Sequence, residues 1–279
     1  MIITKVSTIA TTYIIIKRAD AHTMILIKLG GSVITDKSQY KKFNQEQTAR
    51  LCKEIAASGR GVMIVHGAGS FGHVLAKQYS LQYGLQDFKQ IPAVAQVQHD
   101  VRELSLRIVE ELMKVGIPSV SVPPGSCFVM ENGRLVIDND EAVRRLAHIG
   151  VMPLMFGDVV TDRAKGFGIC SGDQIMEALA NIFKPDRIVF VSDVDGLFTE
   201  DPKKSPDAKL IPTADRRMLD GLDAELSVAD VTGGIRGKIE EMIAMCGDGG
   251  ECILVNGTVP GRLESLLKGE EVVCTRIKP

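Results

Sequence analysis

The sequence has no pair of cysteines spaced C-x-x-C. Its six cysteines, Cys52, Cys127, Cys170, Cys246, Cys252 and Cys274, are scattered along 279 residues. Zinc ribbons and dithiol redox motifs need closely spaced pairs, so neither is expected. Reduced, mostly buried thiols in a cytosolic protein are expected instead. Long apolar runs are also lacking, and none approaches the roughly 18–20 residues of a membrane span. Ile14-Ile15-Ile16 is too short for a signal-peptide core, and no small-residue cleavage site follows it. Excess charge of one sign is missing as well. Lys and Arg number 33 against 35 Asp and Glu, which gives −2 and argues against a broad basic footprint for nucleic acid. A small anion needs only a local positive site, which this balance leaves open. The Walker A pattern G-x-x-x-x-G-K-[ST], internal repeats and low-complexity tracts are absent too.

With 45% hydrophobic and 24% charged residues, the chain has the make-up of one large globular domain or two lobes. Residues 1–23 read as a dispensable extension, because a cleaner start is Met24, just before the strand-like Ile25-Leu26-Ile27. From there, strands are predicted at 25–29, 62–65, 119–122, 151–156, 187–192, 252–255 and 271–277. Helices are predicted near 45–57, 93–115, 140–149, 173–183, 236–246 and 260–268. In the second helix, Val94, Val97, Val101, Leu104, Ile108, Leu112 and Val115 recur at spacings of three and four, one apolar face packed on a sheet. Strand–helix alternation predicts an α/β fold with a mainly parallel sheet covered on both faces. Two hairpins interrupt it. One turns at Asn132-Gly133, the other spans 158–170 and turns around Lys165-Gly166, and such hairpins often wall a cleft. The polar stretch Glu200–Arg217 reads as a long surface connection or lid.

Five segments carry residue types suited to phosphate chemistry. Lys28-Leu29-Gly30-Gly31-Ser32 closes the first strand with a glycine turn whose N–H groups can converge on an anion beside the Lys28 ammonium. Val65-His66-Gly67-Ala68-Gly69-Ser70-Phe71-Gly72-His73 matches G-x-G-x-x-G, yet the acidic residue expected about 20 positions later in a dinucleotide site is missing. That loop therefore reads as a phosphate cradle, with His73 near the start of the following helix. Ser171-Gly172-Asp173-Gln174 opens a helix, and Ser171 as N-cap accounts for it equally well. Ser192-Asp193-Val194-Asp195-Gly196 follows the strongest strand, where carboxylates serve either binding sites or plain turns. Thr232-Gly233-Gly234 leads into a helix bearing Lys238 one turn on. Each segment also reads as an ordinary turn or helix start. Jointly, cradles, lysines and an acid around one sheet point to phosphoryl transfer, which needs positioning and positive charge more than covalent chemistry.

In this order the five segments resemble the amino acid kinase superfamily over essentially Met24–Pro279. K-L-G-G-S, S-D-V-D-G followed by Thr199-Glu-Asp201-Pro202, and T-G-G-x-x-x-K are the specific blocks. The loop ending in His73 is similar to that of the branch phosphorylating isopentenyl phosphate, and fosfomycin kinases are the nearest rival. The resemblance implies a three-layer α/β/α sandwich and ATP-dependent conversion of isopentenyl phosphate to isopentenyl diphosphate. It also implies an acceptor lobe at 24–183, a nucleotide lobe at 184–279, and a homodimer. Lys28 and Lys238 would neutralise the transferring group, with Asp173 holding both lysines. His73 would hydrogen-bond the acceptor phosphate beside Ala68 and Gly172. Lys28, Leu29, Gly30, Gly31, Ser32, Gly69 and Lys238 would cradle the ATP phosphates, while Asp193, Gly196 and Gly234 would line the nucleotide lobe. Magnesium would arrive on ATP, with no protein ligand of its own. Ala68 departs from relatives with Gly there and should be tolerated if its φ is negative. Whether Arg236 shares the work of Lys238 stays open. A hydrocarbon tail needs an apolar pocket, for which Phe88, Ile91 and Val94 are the expected lining. No regulatory domain is expected after Lys278, and a catalytically silent binding module would be expected to lack Lys28, Asp173 or Lys238.

Overall fold

The apolar run Ile25–Leu29 forms β1, the strand around which the molecule is built, in a computed structural model describing residues 24–36, 38–218, 232–246 (side chains from 237) and 250–279. On one side β1 pairs in parallel with β2 (Val62–His66), in register Lys28↔Val65. On the other it pairs in parallel with β9 (Arg187–Ser192), in register Lys28↔Phe190. The sheet continues outward through β6 (Met152–Phe156) and β3 (Ser119–Ser121) on the first side. On the second side follow β13 (Glu251–Asn256), β14 (Cys274–Ile277) and β12 (Thr213–Ala214). The order is β12-β14-β13-β9-β1-β2-β6-β3, and every pairing is parallel except β13 with β14.

Side-chain alternation along the strands sorts the core into two layers. Ile25, Ile27 and Leu29 face one cluster with α1 (Gly31–Ile34), α2 (Gln45–Ala57), α3 (Gly69–Gln78) and α4 (Ile91–Lys114). Leu26 faces the other, with α5 (Glu141–His148), α6 (Gly172–Phe183) and α7 (Thr232–Cys246). The last helix, α8 (Arg262–Lys268), adds Leu263, Leu266 and Leu267 to the first cluster. Helices therefore cover both faces, as the sequence predicts. Lys28 alternates with Leu29 and so belongs to the α6–α7 face, which decides its partners.

The two predicted hairpins are present and join. β4 (Phe128–Glu131) and β5 (Arg134–Ile137) meet at Asn132 and Gly133, both at positive φ, 51° and 84°, as a primed two-residue turn requires. β7 (Asp158–Asp162) and β8 (Gly166–Cys170) form the second. A single parallel pair, Met130↔Asp162, makes one sheet of β5-β4-β7-β8. Asp162 secures it by accepting from the N–H groups of Asn132, Gly133, Ala164 and Lys165 at 2.6–3.1 Å. The stretch 200–217, read as a long surface connection or lid, contains the short strands β11 (Leu210–Ile211) and β12, and β11 pairs antiparallel with β10 (Leu197–Phe198), just before the stretch. Residues 1–23 lie outside the described residues.

Candidate phosphate-transfer cleft

Strands β9, β1, β2 and β6 end in step, and the residue after each of β1, β2 and β6 bonds back to the neighbouring strand. Gly30 N donates to Val191 O at 2.9 Å, Gly67 N to Leu29 O at 3.0 Å, and Gly157 N to His66 O at 3.1 Å. The chain departs in opposite directions on the two sides of β1, and ligands in open α/β sheets bind outside such a switch point. A cleft of about 300 Å³ lies there.

Its floor is polar. Asp173, second residue of α6, accepts from Lys28 Nζ at 2.7 Å through Oδ2 and from Lys238 Nζ at 3.1 Å through Oδ1. The lysine side chains are only 17% and 30% exposed, and both ammoniums lie over the Phe190 ring, 5.8 and 5.1 Å from its centroid. Burial pushes the Asp173 carboxyl up, but the two lysines outweigh it and hold the group below the usual carboxylate range. Burial also lowers Lys28 from its ordinary value, with Asp173 opposing the change. The trio carries a net single positive charge in a partly dry site, where charge acts more strongly than in water.

Two glycine loops bound this floor and touch backbone to backbone. A Cβ on Gly31 would stand 2.6 Å from Gly69 Cα, and Gly69 itself has φ +50°. Thr35 clamps the loops together: its hydroxyl donates to Gly31 O at 2.6 Å and accepts from Ser70 N at 3.0 Å. Ala68 caps α3 at φ −67°, so alanine fits there without strain. The N-termini of α3 and α6 thus both lie at the cleft, where unpaired N–H groups favour anions. Ser171 caps α6 reciprocally with Gln174, the two bonds being 3.2 and 3.1 Å. Gly172 sits where a Cβ would press on Lys28 Cε at 3.2 Å.

The structure brings Lys28, Gly30, Gly31, Ser32, Ala68, His73, Gly172, Asp173 and Lys238 onto this one cleft. His73 reaches it from the second turn of α3. Gly69 lies directly beneath, against Thr35. Asp193 joins from the β9 side, accepting from Ser32 Oγ at 2.8 Å and Lys203 Nζ at 2.5 Å. Leu29 places its side chain in the core, and its carbonyl accepts from Gly67. Gly196 is buried against Thr275, away from the cleft lining. Gly234 is in α7, and the side chain of Arg236 lies outside the described residues.

The tail lining is where the sequence expectation fails. Phe88 is 80% exposed and Ile91 46%, and neither they nor Val94 border the cleft. Its apolar wall is Ala76, Val97, Val159, Ile169 and Cys170. Helix periodicity cannot say which turn of α4 meets the hairpin, and Val97, one turn past Val94, does so. Sequence reasoning also missed Asp158, next to Val159 in that wall, although a carboxylate straight after Gly157 at a strand end carried the same signal as Asp193. Burial raises its carboxyl from 3.8 to about 7, with Arg102 and the Val159 N–H opposing. The Arg102 guanidinium stands 3.6 Å from Oδ2 and is 37% exposed, so water competes for its charge.

A mainly parallel sheet whose mouth joins two glycine loops to a Lys–Asp–Lys cluster defines a protein built to hold and move phosphoryl groups. The sequence profile of the amino acid kinase family matches residues 23–256, and the chain belongs to that family. It is 38% identical over 263 residues to isopentenyl phosphate kinase of Methanothermobacter thermautotrophicus, covering 91% of this chain and 98% of that protein. X-ray structures of isopentenyl phosphate kinase superpose with a TM-score of 0.79 at 34% identity, covering 91% of this chain and 99% of theirs. A product complex of the Thermoplasma acidophilum isopentenyl phosphate kinase superposes at 0.76 with 32% identity, covering 91% and 100%.

Proposed function

We propose that the protein is an ATP-dependent kinase converting isopentenyl phosphate to isopentenyl diphosphate. The observation carrying this reading is one cleft with a Lys28–Asp173–Lys238 floor and an apolar wall of Ala76, Val97, Val159 and Ile169. A substrate with a phosphate at one end and a short hydrocarbon at the other matches both halves. An acceptor phosphate oxygen attacks the γ-phosphorus of ATP, the bond to the β–γ bridging oxygen breaks, and ADP leaves. Lys28 and Lys238 offset charge on the group in flight. Asp173, with both oxygens engaged by lysines, orients them and does not act as a base. His73, with the Ala68 and Gly172 backbone, receives the acceptor phosphate, which carries charge near −2 and repels ATP until donors offset it. Gly30, Gly31, Ser32 and Gly69 cradle the ATP phosphates, and Asp193 sits toward the nucleotide. Magnesium fits as a passenger on the ATP phosphates, since the acid at the floor is already neutralised by two lysines.

In this scheme residues 24–183 supply the acceptor side and 184–279 the nucleotide side, with a single sheet running through both at the β1–β9 pair. A cytoplasmic homodimer completes the reading. Among the described residues no helix is long and apolar enough to cross a membrane.

The test is ADP release with ATP and magnesium against isopentenyl phosphate, dimethylallyl phosphate, fosfomycin, glutamate and UMP. Turnover on the two prenyl phosphates alone is expected. Turnover on fosfomycin or glutamate instead would overturn the acceptor, and silence on all five would overturn the kinase.

A further inference from the structure

Although no two cysteines are close in sequence, α7 and β13 bring two of them together. Cys246, the last residue of α7, places Sγ 3.1 Å from Met242 O, one turn back on its own helix. Cys252, second residue of β13, places Sγ 3.1 Å from the same oxygen. Two sulfurs converging on one carbonyl oxygen lie close together, between the end of α7 and the start of β13. That contact holds the Cys246 thiol below its ordinary value against burial, and the same contact, with burial, pushes Cys252 up. Because both sulfurs converge on one oxygen, whichever thiolate reacts first has the other placed to resolve it. Both are reduced and buried here, at 6% and 0% exposure, so the oxidant must be small or reach them through local opening.

We propose that Cys246 and Cys252 are a dithiol site at which a peroxide forms an intrachain disulfide, and that this linkage modulates turnover. One of the two thiolates attacks one peroxide oxygen, the O–O bond breaks, and a sulfenic acid and hydroxide result. The other sulfur then displaces water from that sulfenic acid to form the S–S bond. Overall two thiols lose two electrons and two protons, and hydrogen peroxide becomes two waters. The linkage matters to the cleft because α7 also carries Lys238, about two turns before Cys246, and β13 carries Leu254, which borders the cleft two residues after Cys252. The two sulfurs, unbonded here, must approach to about 2.05 Å to bond, and that movement is passed along α7 to Lys238.

The site itself is independent of the proposed reaction, and only its effect on turnover rests on that reading, so the experiment reads the two separately. The full chain is treated with hydrogen peroxide, then denatured and titrated for free thiols. The expected count falls from six to four, and non-reducing peptide mapping joins Cys246 to Cys252. The count returns to six with dithiothreitol, and Cys252→Ser abolishes the linkage. Because Cys252→Ser could misfold, Cys252→Ala is compared and both are checked by thermal melting. A count that stays at six while the chain remains folded, or a linkage mapped elsewhere, overturns the site. Turnover of the crosslinked wild type is expected to fall at least threefold and recover with reductant. Complete crosslinking with unchanged turnover overturns the coupling to Lys238.

Discussion

At the scale of single residues, the floor of the cleft depends on one carboxylate between two ammoniums. Lys28→Met is expected to cut turnover by roughly 10²–10³, the usual cost of losing one donor to transition-state charge. Steady-state ADP release checks this, and unchanged turnover would remove Lys28 from the mechanism. His73→Ala should raise KM for the phosphate acceptor far more than KM for ATP. An equal loss on both substrates would assign His73 to the nucleotide or the fold. Asp158 gives a pH signature. Its carboxyl ionises near 3.8 when exposed and at about 7 in the folded protein, so between those values the folded state keeps a proton that the unfolded chain has released. Stability is therefore lost as pH rises from about 4 to about 7 and levels off above, by a few kcal/mol at most. Asp158→Asn lacks this loss. Urea midpoints of the two proteins should diverge across that window and run parallel at higher pH, and parallel curves throughout would sink the assignment.

Among the elements, α6 is the piece on which most of the site hangs. It begins with the reciprocal Ser171–Gln174 cap, and its third residue, Gln174, also donates to Gly133 O at 2.9 Å, docking the first hairpin. Ser171→Ala removes the cap acceptor and should cost about 1 kcal/mol. Because Asp173 is two residues from that cap, turnover should fall with stability, which chemical denaturation and ADP release together would reveal. The existence and type of most elements could be read directly from the sequence, because α4 repeats at three and four and Asn132-Gly133 demands a primed turn. Two things escaped. The hairpins join through one pair, Met130↔Asp162, a contact that no local pattern announces. β14 runs antiparallel to β13, because strand direction is set by where the chain returns and not by the apolar run itself.

For the whole molecule, the cleft gathers β1, α3, α6, α7 and the second hairpin, so a bound ligand links segments from Lys28 to Lys238. Binding should then stabilise the global fold. At a hundredfold excess over Kd, linkage is worth about 2.7 kcal/mol, which corresponds to roughly 5–10 °C in a domain of this size. A non-hydrolysable ATP analogue with magnesium should produce such a shift in a thermal melt, and Lys238→Met should reduce it. An equal shift in the variant would place Lys238 outside the nucleotide site. The formal charge of −2 is no obstacle, since the positive field is confined to two lysines above one aromatic ring.

The α/β class, the positions of the glycine turns and the residue types available for phosphate chemistry are legible in the order of amino acids alone. Those follow from local rules: period two in strands, period near 3.6 in helices, and the turn chemistry of Gly and Asn. That Lys28 and Lys238 share Asp173, that Val97 and not Phe88 walls the cleft, and that Cys246 and Cys252 converge on one carbonyl emerges only in the folded molecule. Each is a contact between residues far apart in the chain or on separate elements. Such contacts depend on strand order and on which turn of a helix faces the sheet, and neither is written in any short stretch of sequence.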